Sequence, residues 1–456
     1  MQMAIVESTE VTGVTREATA VVDEPTPPRP PGIPWAFLVE CAYAAFMLAV
    51  LTGGTVSAFW RGRVQDGGAS LESVTNYTFL AAQLPAVFLL GRRISRRQWS
   101  HPVVLMLGGL VSWLLISVLW STVKATTLVD GAALVVTCCV GVYLAISFSW
   151  TALATLLFVG LQPGLIFSKI ANDRNWPGSI DETGNFAGIY GNRNSLGPPA
   201  VIATAMGAVL LGLLVLRAWR RRDWRLLPVL AAVWGLAMFD LDLQRQSGSA
   251  TSWMVLSLIV AVVAMFNAVA ETRWFARRPN AKSIVATTVL VACTAAFAVA
   301  VVFQSRVSEF FGRSPGFDAR TSYWRADLHG IRERPFLGWG WFSAWATPEF
   351  RTALPARVSD QIWSHSAYFD VALGGGVIAI ALGIGLAISG SRSAASAMNR
   401  DEPASALPLA FVVAIGFACT QESFFVGNHF YTALLVAGLC AAVAHGSNMP
   451  RHVSDA

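Results

Sequence analysis

Apolar and polar stretches alternate along the chain on the scale a helix needs to cross a bilayer, about 20 residues. About twelve apolar runs follow one another, near residues 35–58, 74–91, 101–120, 127–147, 150–168, 196–216, 226–242, 250–270, 284–303, 364–389, 404–420 and 429–445. They predict an all-α polytopic membrane protein with about 12 transmembrane helices. The first four runs have short connections and few polar groups, as expected of a scaffold facing lipid. Between the ninth and tenth runs lies a long loop, 304–363, that mixes arginines, aromatics and glycines. The resulting plan is a tail at 1–34, helices 1–9 over 35–303, the 304–363 loop, helices 10–12 over 364–445 and a tail at 446–456.

Composition sharpens this picture. Apolar residues make up 54% of the chain and charged residues 13%, with 17 Trp, which excludes a soluble globular domain. Arg92, Arg93, Arg96 and Arg97 follow the second run, Arg217, Arg220, Arg221, Arg222 and Arg225 the sixth, and Arg273, Arg277, Arg278 and Lys282 the eighth. Basic residues in short loops resist translocation, so these clusters mark the cytoplasmic side of the cytoplasmic (inner) membrane. Both termini then face the cytoplasm, and the 304–363 loop lies outside with its eight arginines, since long segments translocate largely regardless of charge. The net charge of +6 is thus mostly topology and gives no sign of nucleic-acid binding. Cys41, Cys138, Cys139, Cys293, Cys419 and Cys440 all fall in apolar runs without C-x-x-C spacing, so neither a disulfide framework nor a zinc site is indicated. The polar, proline-rich stretch 1–34 carries no cleavable signal and reads as a disordered cytoplasmic tail.

Within the long loop, DARTSYWRADLHGIRERPFLGWGWFSAW (318–345) predicts a helix followed by a Gly/Trp hinge. Asp318 suits the N-cap, Trp324, Leu328 and Ile331 share one stripe, and Pro335 stops the run. An apolar stripe on an arginine-rich helix fits a membrane surface, where guanidiniums meet phosphates, and fits equally a loop helix packed on the bundle. Trp339, Trp341 and Trp345 offer flat faces for sugars or anchors at the interface.

Four further polar segments emerge on the same outer side. Asn192, Arg193 and Asn194 stand where the sixth run begins, and a helix N-terminus with an adjacent arginine makes an anion site. An Asn194 cap with Arg193 snorkelling to the interface accounts for the same residues. Asp240, Asp242 and Arg245 fall between the seventh and eighth runs and read as mutually paired boundary charges. His365 opens the tenth run, with Asp370 five residues on, and Glu422 closes the eleventh. The imidazole titrates in the range useful for taking a proton near neutral pH.

In order and spacing these segments resemble the O-antigen ligase and polymerase family, including exopolysaccharide polymerase-like members. GIYGNRNSLG (188–197), QSGSATS (246–252), the 318–345 segment and SHSAYFDVALGGGVIAI (364–380) are similar to the family's successive elements. The resemblance implies a glycosyltransferase of the C-type membrane fold, working without metal or cofactor on the outer face of the membrane. Its donor would be a glycan on a polyprenyl diphosphate and its acceptor a glycan hydroxyl, with envelope polysaccharide assembly proteins as possible partners. Carried over residue by residue, Arg193 and Arg320 bind the diphosphate, with Arg245 and Arg325 as weaker counterparts. His365 deprotonates or orients the acceptor, and Asn192, Asn194, Ser366 and Glu422 support it. Ser366 stands where the family has Asn, and Ala319 where it has Gly; nothing assigns a role to His329 or separates ligase from polymerase. A secondary transporter would place ionisable groups near mid-bilayer, whereas the charges here gather at one face. A lipid-linked glycan flippase, or a noncatalytic envelope-assembly protein, would keep the anion site yet tolerate loss of His365.

Overall fold

The computed structural model describes residues 34–60, 71–182, 184–270, 281, 284, 288, 292, 317–352, 363–398 and 402–446. The expected terminal tails and nearly all of the expected ninth span lie outside the described residues, as do the flanks of the long loop. The remaining apolar runs each coincide with helix: α1 (Trp35–Leu51), α2 (Gly54–Trp60), α3 (Leu71–Arg93), the short α4 (Arg96–Trp99), α5 (Pro102–Ile116), α6 (Lys124–Ser147), α7 (Trp150–Asp173), α8 (Arg193–Arg221), α9 (Leu227–Ser247) and α10 (Ala250–Ala270). After the undescribed stretch come the loop helices α11 (Phe317–Glu333) and α12 (Pro348–Thr352), then α13 (Ala367–Ala397), α14 (Leu407–Ala418) and α15 (Phe430–Leu439).

Among the described residues, eight helices are long and apolar enough to cross a membrane. The first apolar run is not one straight span, because α1 and α2 meet at 74°. The last two runs form shorter helices, α14 and α15, fully packed inside the bundle.

Burial follows apolarity. One cluster joins α1–α3, α5–α10 and α13–α15, with Tyr143, Phe411 and Phe430 at or near zero exposure and only Ala237 and Leu243 as its buried members from α9. By contrast α9 presents Trp234, Val229 and Met238 outward, as a lipid-facing helix does. Polar side chains inside the bundle come as joined networks. Gln83 of α3 donates to Asn428 Oδ1 (2.9 Å), Thr137 of α6 donates to Gln83 Oε1 (2.8 Å), and Asn428 N–H donates back to Thr137 (2.8 Å). Buried amides require partners, so this network pins the 419–429 connection to the bundle. That connection carries Glu422.

Candidate active site

The long loop is not draped over the bundle. It docks by its backbone into a break in α13. At Gly376 the chain turns to φ 63°, ψ −159° in the middle of what is otherwise helix, a conformation restricted to glycine. The break frees backbone groups, and the 335–340 stretch takes them up. Trp339 N–H donates to Leu373 O (2.8 Å), Gly340 N–H to Gly374 O (3.0 Å), and Val377 N–H to Pro335 O (2.8 Å). Gly338 and Gly340, both at positive φ, let the loop backbone reach this depth.

Around this seam the loop builds its own small core of Tyr323, Ala326, Trp339, Ala344, Trp345, Phe350 and Leu373. The three loop tryptophans are interior residues rather than exposed sugar platforms: Trp339, Trp341 and Trp345 are at most 4% exposed. Trp339 donates to Gly330 O (2.9 Å) and Trp345 to Ser364 Oγ (3.2 Å), while Arg334 lies over the Trp339 ring at 3.9 Å. The buried face of α11 is shifted from the expected Trp324/Leu328/Ile331 stripe, of which Trp324 and Ile331 still pack partly buried on this core. Tyr323, Ala326, Asp327 and Gly330 turn inward, and Leu328 is 45% exposed. The inward face is chosen by the close seat of Gly330 against Phe350 and Leu373, which no side chain at 330 could share.

This docking brings α11 over the start of α13. His365 sits there in a left-handed turn (φ 52°), a strained conformation for a residue with a Cβ and a mark of a site held by its surroundings. The turn is fixed from behind: Ala367 N–H donates to Cys419 O (2.9 Å), and Ser366 Oγ donates to the same carbonyl (3.4 Å). These bonds tie the start of α13 to the end of α14 and so set Glu422 beside the imidazole. His365 Nδ1 lies 3.1 Å from Glu422 Oε2, with side-chain exposures of 22% and 12%. A carboxylate only accepts, so an Nδ1–H donates across this contact. Tyr323 stacks on the ring at 5.4 Å and 23°, and Trp363 meets it edge-on at 5.9 Å.

The other oxygen of Glu422 reaches a third segment. Asn194 Nδ2 donates to Glu422 Oε1 at 3.4 Å, which places the first turn of α8 at this site. The cap of α8 is Asn192 rather than Asn194: its side chain accepts from Asn194 N–H at 2.7 Å. Arg193, the first residue of the helix, is half-buried next to it. Arg320 lies on α11 one turn before Tyr323, but its side chain falls outside the described residues. Arg325 is exposed, and the helical period sets it about 200° around α11 from Tyr323. Arg245 sits at the end of α9, 79% exposed and 3.7 Å from Asp242. His329 pairs with Glu333 on the exposed side of α11 (3.1 Å).

Beneath His365 lies a group of residues that the sequence did not single out together. Ser364 Oγ donates to Asp327 Oδ1 (3.0 Å), and Ser364 N–H donates to Asp370 Oδ1 (3.2 Å). Asp327 is fully buried and Asp370 is 5% exposed, so two carboxyl groups flank one serine in the layer below the imidazole. Burial, reinforced by the Asp370 carboxylate, pushes the Asp327 carboxyl up to about 8 against the pull of the Ser364 hydroxyl. The signal of Asp327 in sequence was a single acid one turn after Tyr323 on an arginine-rich helix, too faint to stand out. Among the described residues, no three or more His, Cys, Asp or Glu groups are placed to hold a metal ion.

Residues 246–384 match the family model described as O-antigen ligase. The matched stretch starts in the last turn of α9 and ends inside α13, so it holds α11, the docked 335–340 loop and the His365 turn, while Arg193, Arg245 and Glu422 lie outside it. No curated protein matches the chain.

Proposed function

We propose, from the premise that this is a multi-pass membrane protein with an O-antigen ligase domain over residues 246–384, that it joins glycans by glycosyl transfer from a polyprenyl diphosphate. The acceptor is a hydroxyl of a second glycan, and the reaction takes place on the outer face of the cytoplasmic membrane. The observation that carries this reading is the pairing of His365 with Glu422 at 3.1 Å, joined through Asn194 to the first turn of α8. It draws three segments far apart in sequence to one spot, where an imidazole and a helix N-terminus stand together.

The chemistry follows from these parts. The acceptor oxygen attacks the anomeric carbon of the donor sugar, the bond from that carbon to the phosphate oxygen breaks, and its electron pair leaves with the lipid diphosphate. The acceptor proton passes to His365 Nε2. Glu422 holds the ring by Nδ1–H and stabilises the imidazolium formed. Negative charge grows on the leaving diphosphate, and Arg193 at the positive end of α8 meets it, with Arg320 from α11 as its counterpart. A diphosphate leaves readily, so positioning and charge stabilisation are the protein's main tasks. On this reading guanidiniums take the part that a divalent metal plays elsewhere.

The test is product analysis with purified protein, a defined polyprenyl-diphosphate glycan and a glycan acceptor, in the presence of a metal chelator. A new glycosidic bond with release of lipid diphosphate is expected. Lengthening of the donor glycan identifies a polymerase, and a single transfer onto a different acceptor identifies a ligase. Movement of donor across a vesicle bilayer without bond formation would replace this reading with transport.

A further inference from the structure

Away from this site, the bundle buries one acidic group that the transfer chemistry does not use. Asp240 was expected among paired charges at the boundary, yet it has zero exposure and points from α9 toward α7 rather than toward Arg245. Gln162 of α7, 7% exposed, donates Nε2–H to Asp240 Oδ2 at 2.8 Å. One turn along α9, the fully buried Gln244 donates Nε2–H to Ser249 O at 3.2 Å. Three acceptor oxygens remain without any donor: Asp240 Oδ1, Gln162 Oε1 and Gln244 Oε1. Exchanging the amide nitrogen and oxygen of either glutamine sets acceptor against acceptor, so no reassignment of the amides satisfies them.

Among the described residues, the cations of α7, α8 and α9 are engaged or placed elsewhere. On α7, Lys169 pairs with Asp173. On α8, Arg193 stands at the first residue and Arg217, Arg220 and Arg221 near the last turn. On α9, Arg245 faces Asp242, and before it Asp223 and Arg225 belong to the turn at the helix start. An ionised carboxylate in an apolar bundle needs a counter-charge or a proton.

We propose that Asp240, Gln162 and Gln244 form a buried site for one monovalent cation, either a sodium ion or a proton. Sodium is a hard ion held by oxygen ligands, and the three acceptors offer one carboxylate and two amide oxygens. A proton on Oδ1 would instead donate to Gln162 Oε1, closing a paired acid–amide ring with the bond already present. The site lies beside the α8 turn. Gln244 holds Ser249, whose Oγ is 3.0 Å from Ser252 Oγ, and both serines pack on Gly197, four residues after Arg193.

The full chain in detergent is treated with a hydrophobic carbodiimide, which reacts with protonated carboxyl groups, and peptides are mapped by mass spectrometry. Labelling of Asp240 is expected to fall about tenfold per pH unit above its midpoint, as the protonated fraction does. Protection by sodium chloride but not potassium chloride at equal ionic strength identifies sodium as an occupant. Dependence on pH alone identifies the proton. Labelling of Asp240 that ignores both pH and sodium, or no labelling from pH 5 to 9, overturns the proposal. Asp240→Asn supplies a second readout independent of transfer activity: wild-type unfolding temperature shifts with sodium or pH through this site, and the variant loses that component.

Discussion

The seam between the long loop and α13 predicts opposite effects for the same substitution made two turns apart. In Gly376→Ala, the added Cβ would lie 2.3 Å from Phe336 O, 2.5 Å from Phe336 C and 2.8 Å from Pro335 O. All three are backbone atoms that cannot swing aside. The φ of 63° and ψ of −159° add strain of about 1–3 kcal/mol for any residue with a Cβ. Relief of the clash must part the loop from the helix, and the three backbone bonds across the seam are worth about 1 kcal/mol each. The expected loss of stability is therefore about 4–6 kcal/mol. Gly383 lies on the same helix with nothing within 4 Å of its Cβ position, so Gly383→Ala is expected to be neutral or to gain up to about 1 kcal/mol. Thermal and denaturant unfolding of both variants in detergent gives the comparison, with limited proteolysis of the 335–347 stretch as a local readout. A Gly376→Ala protein within 1 kcal/mol of wild type, with its loop still protected, would refute the docking described here.

Other consequences follow from the same geometry. Glu422→Gln keeps the shape but removes the charge that holds the imidazolium, and turnover is expected to fall about 100- to 10,000-fold with donor affinity little changed; a fall in affinity alone would assign Glu422 to binding. Arg193→Ala is expected to lower turnover about 100- to 1,000-fold and Arg320→Ala likewise, with weaker donor binding in both, measured on a lipid diphosphate; wild-type values in both return them to interfacial anchoring. Asp327 has its folded-state value raised from 3.8 to about 8, so its proton favours the folded form. That contribution is complete below pH 4 and is lost as pH rises toward 8. Asp327→Asn is expected to flatten this part of the stability–pH curve, and an unchanged slope would show that Asp327 is ionised in the folded protein.

The helices were legible because runs of apolar residues of bilayer length have few alternatives, and the convergence of distant polar segments was legible from their order and alternation of side. What the sequence concealed is specific. Tryptophan is amphipathic, so Trp339, Trp341 and Trp345 read as well for an interface as for the interior they occupy. The inward face of α11 is set by Gly330 packing on Phe350, a tertiary choice that helical periodicity within α11 does not contain. The glycines at 374–376 were visible, but a run of glycines in an apolar span does not announce that a loop will bond to the opened backbone. Asp240 and Asp242, two residues apart, looked alike, yet the helical period turns one to the bundle and the other outward. The Asp327–Ser364–Asp370 group joins residues from the loop and from α13, and only the docking of α11 brings them together.

On the proposed reading His365, held by Glu422, takes the acceptor proton in a transfer from a lipid diphosphate. The most direct measurement compares wild type with His365→Ala in two separate assays, equilibrium binding of the polyprenyl-diphosphate glycan and single-turnover formation of the new glycosidic bond. Preserved binding with bond formation slowed about 100- to 10,000-fold is predicted. Bond formation at the wild-type rate in the alanine variant would contradict the account.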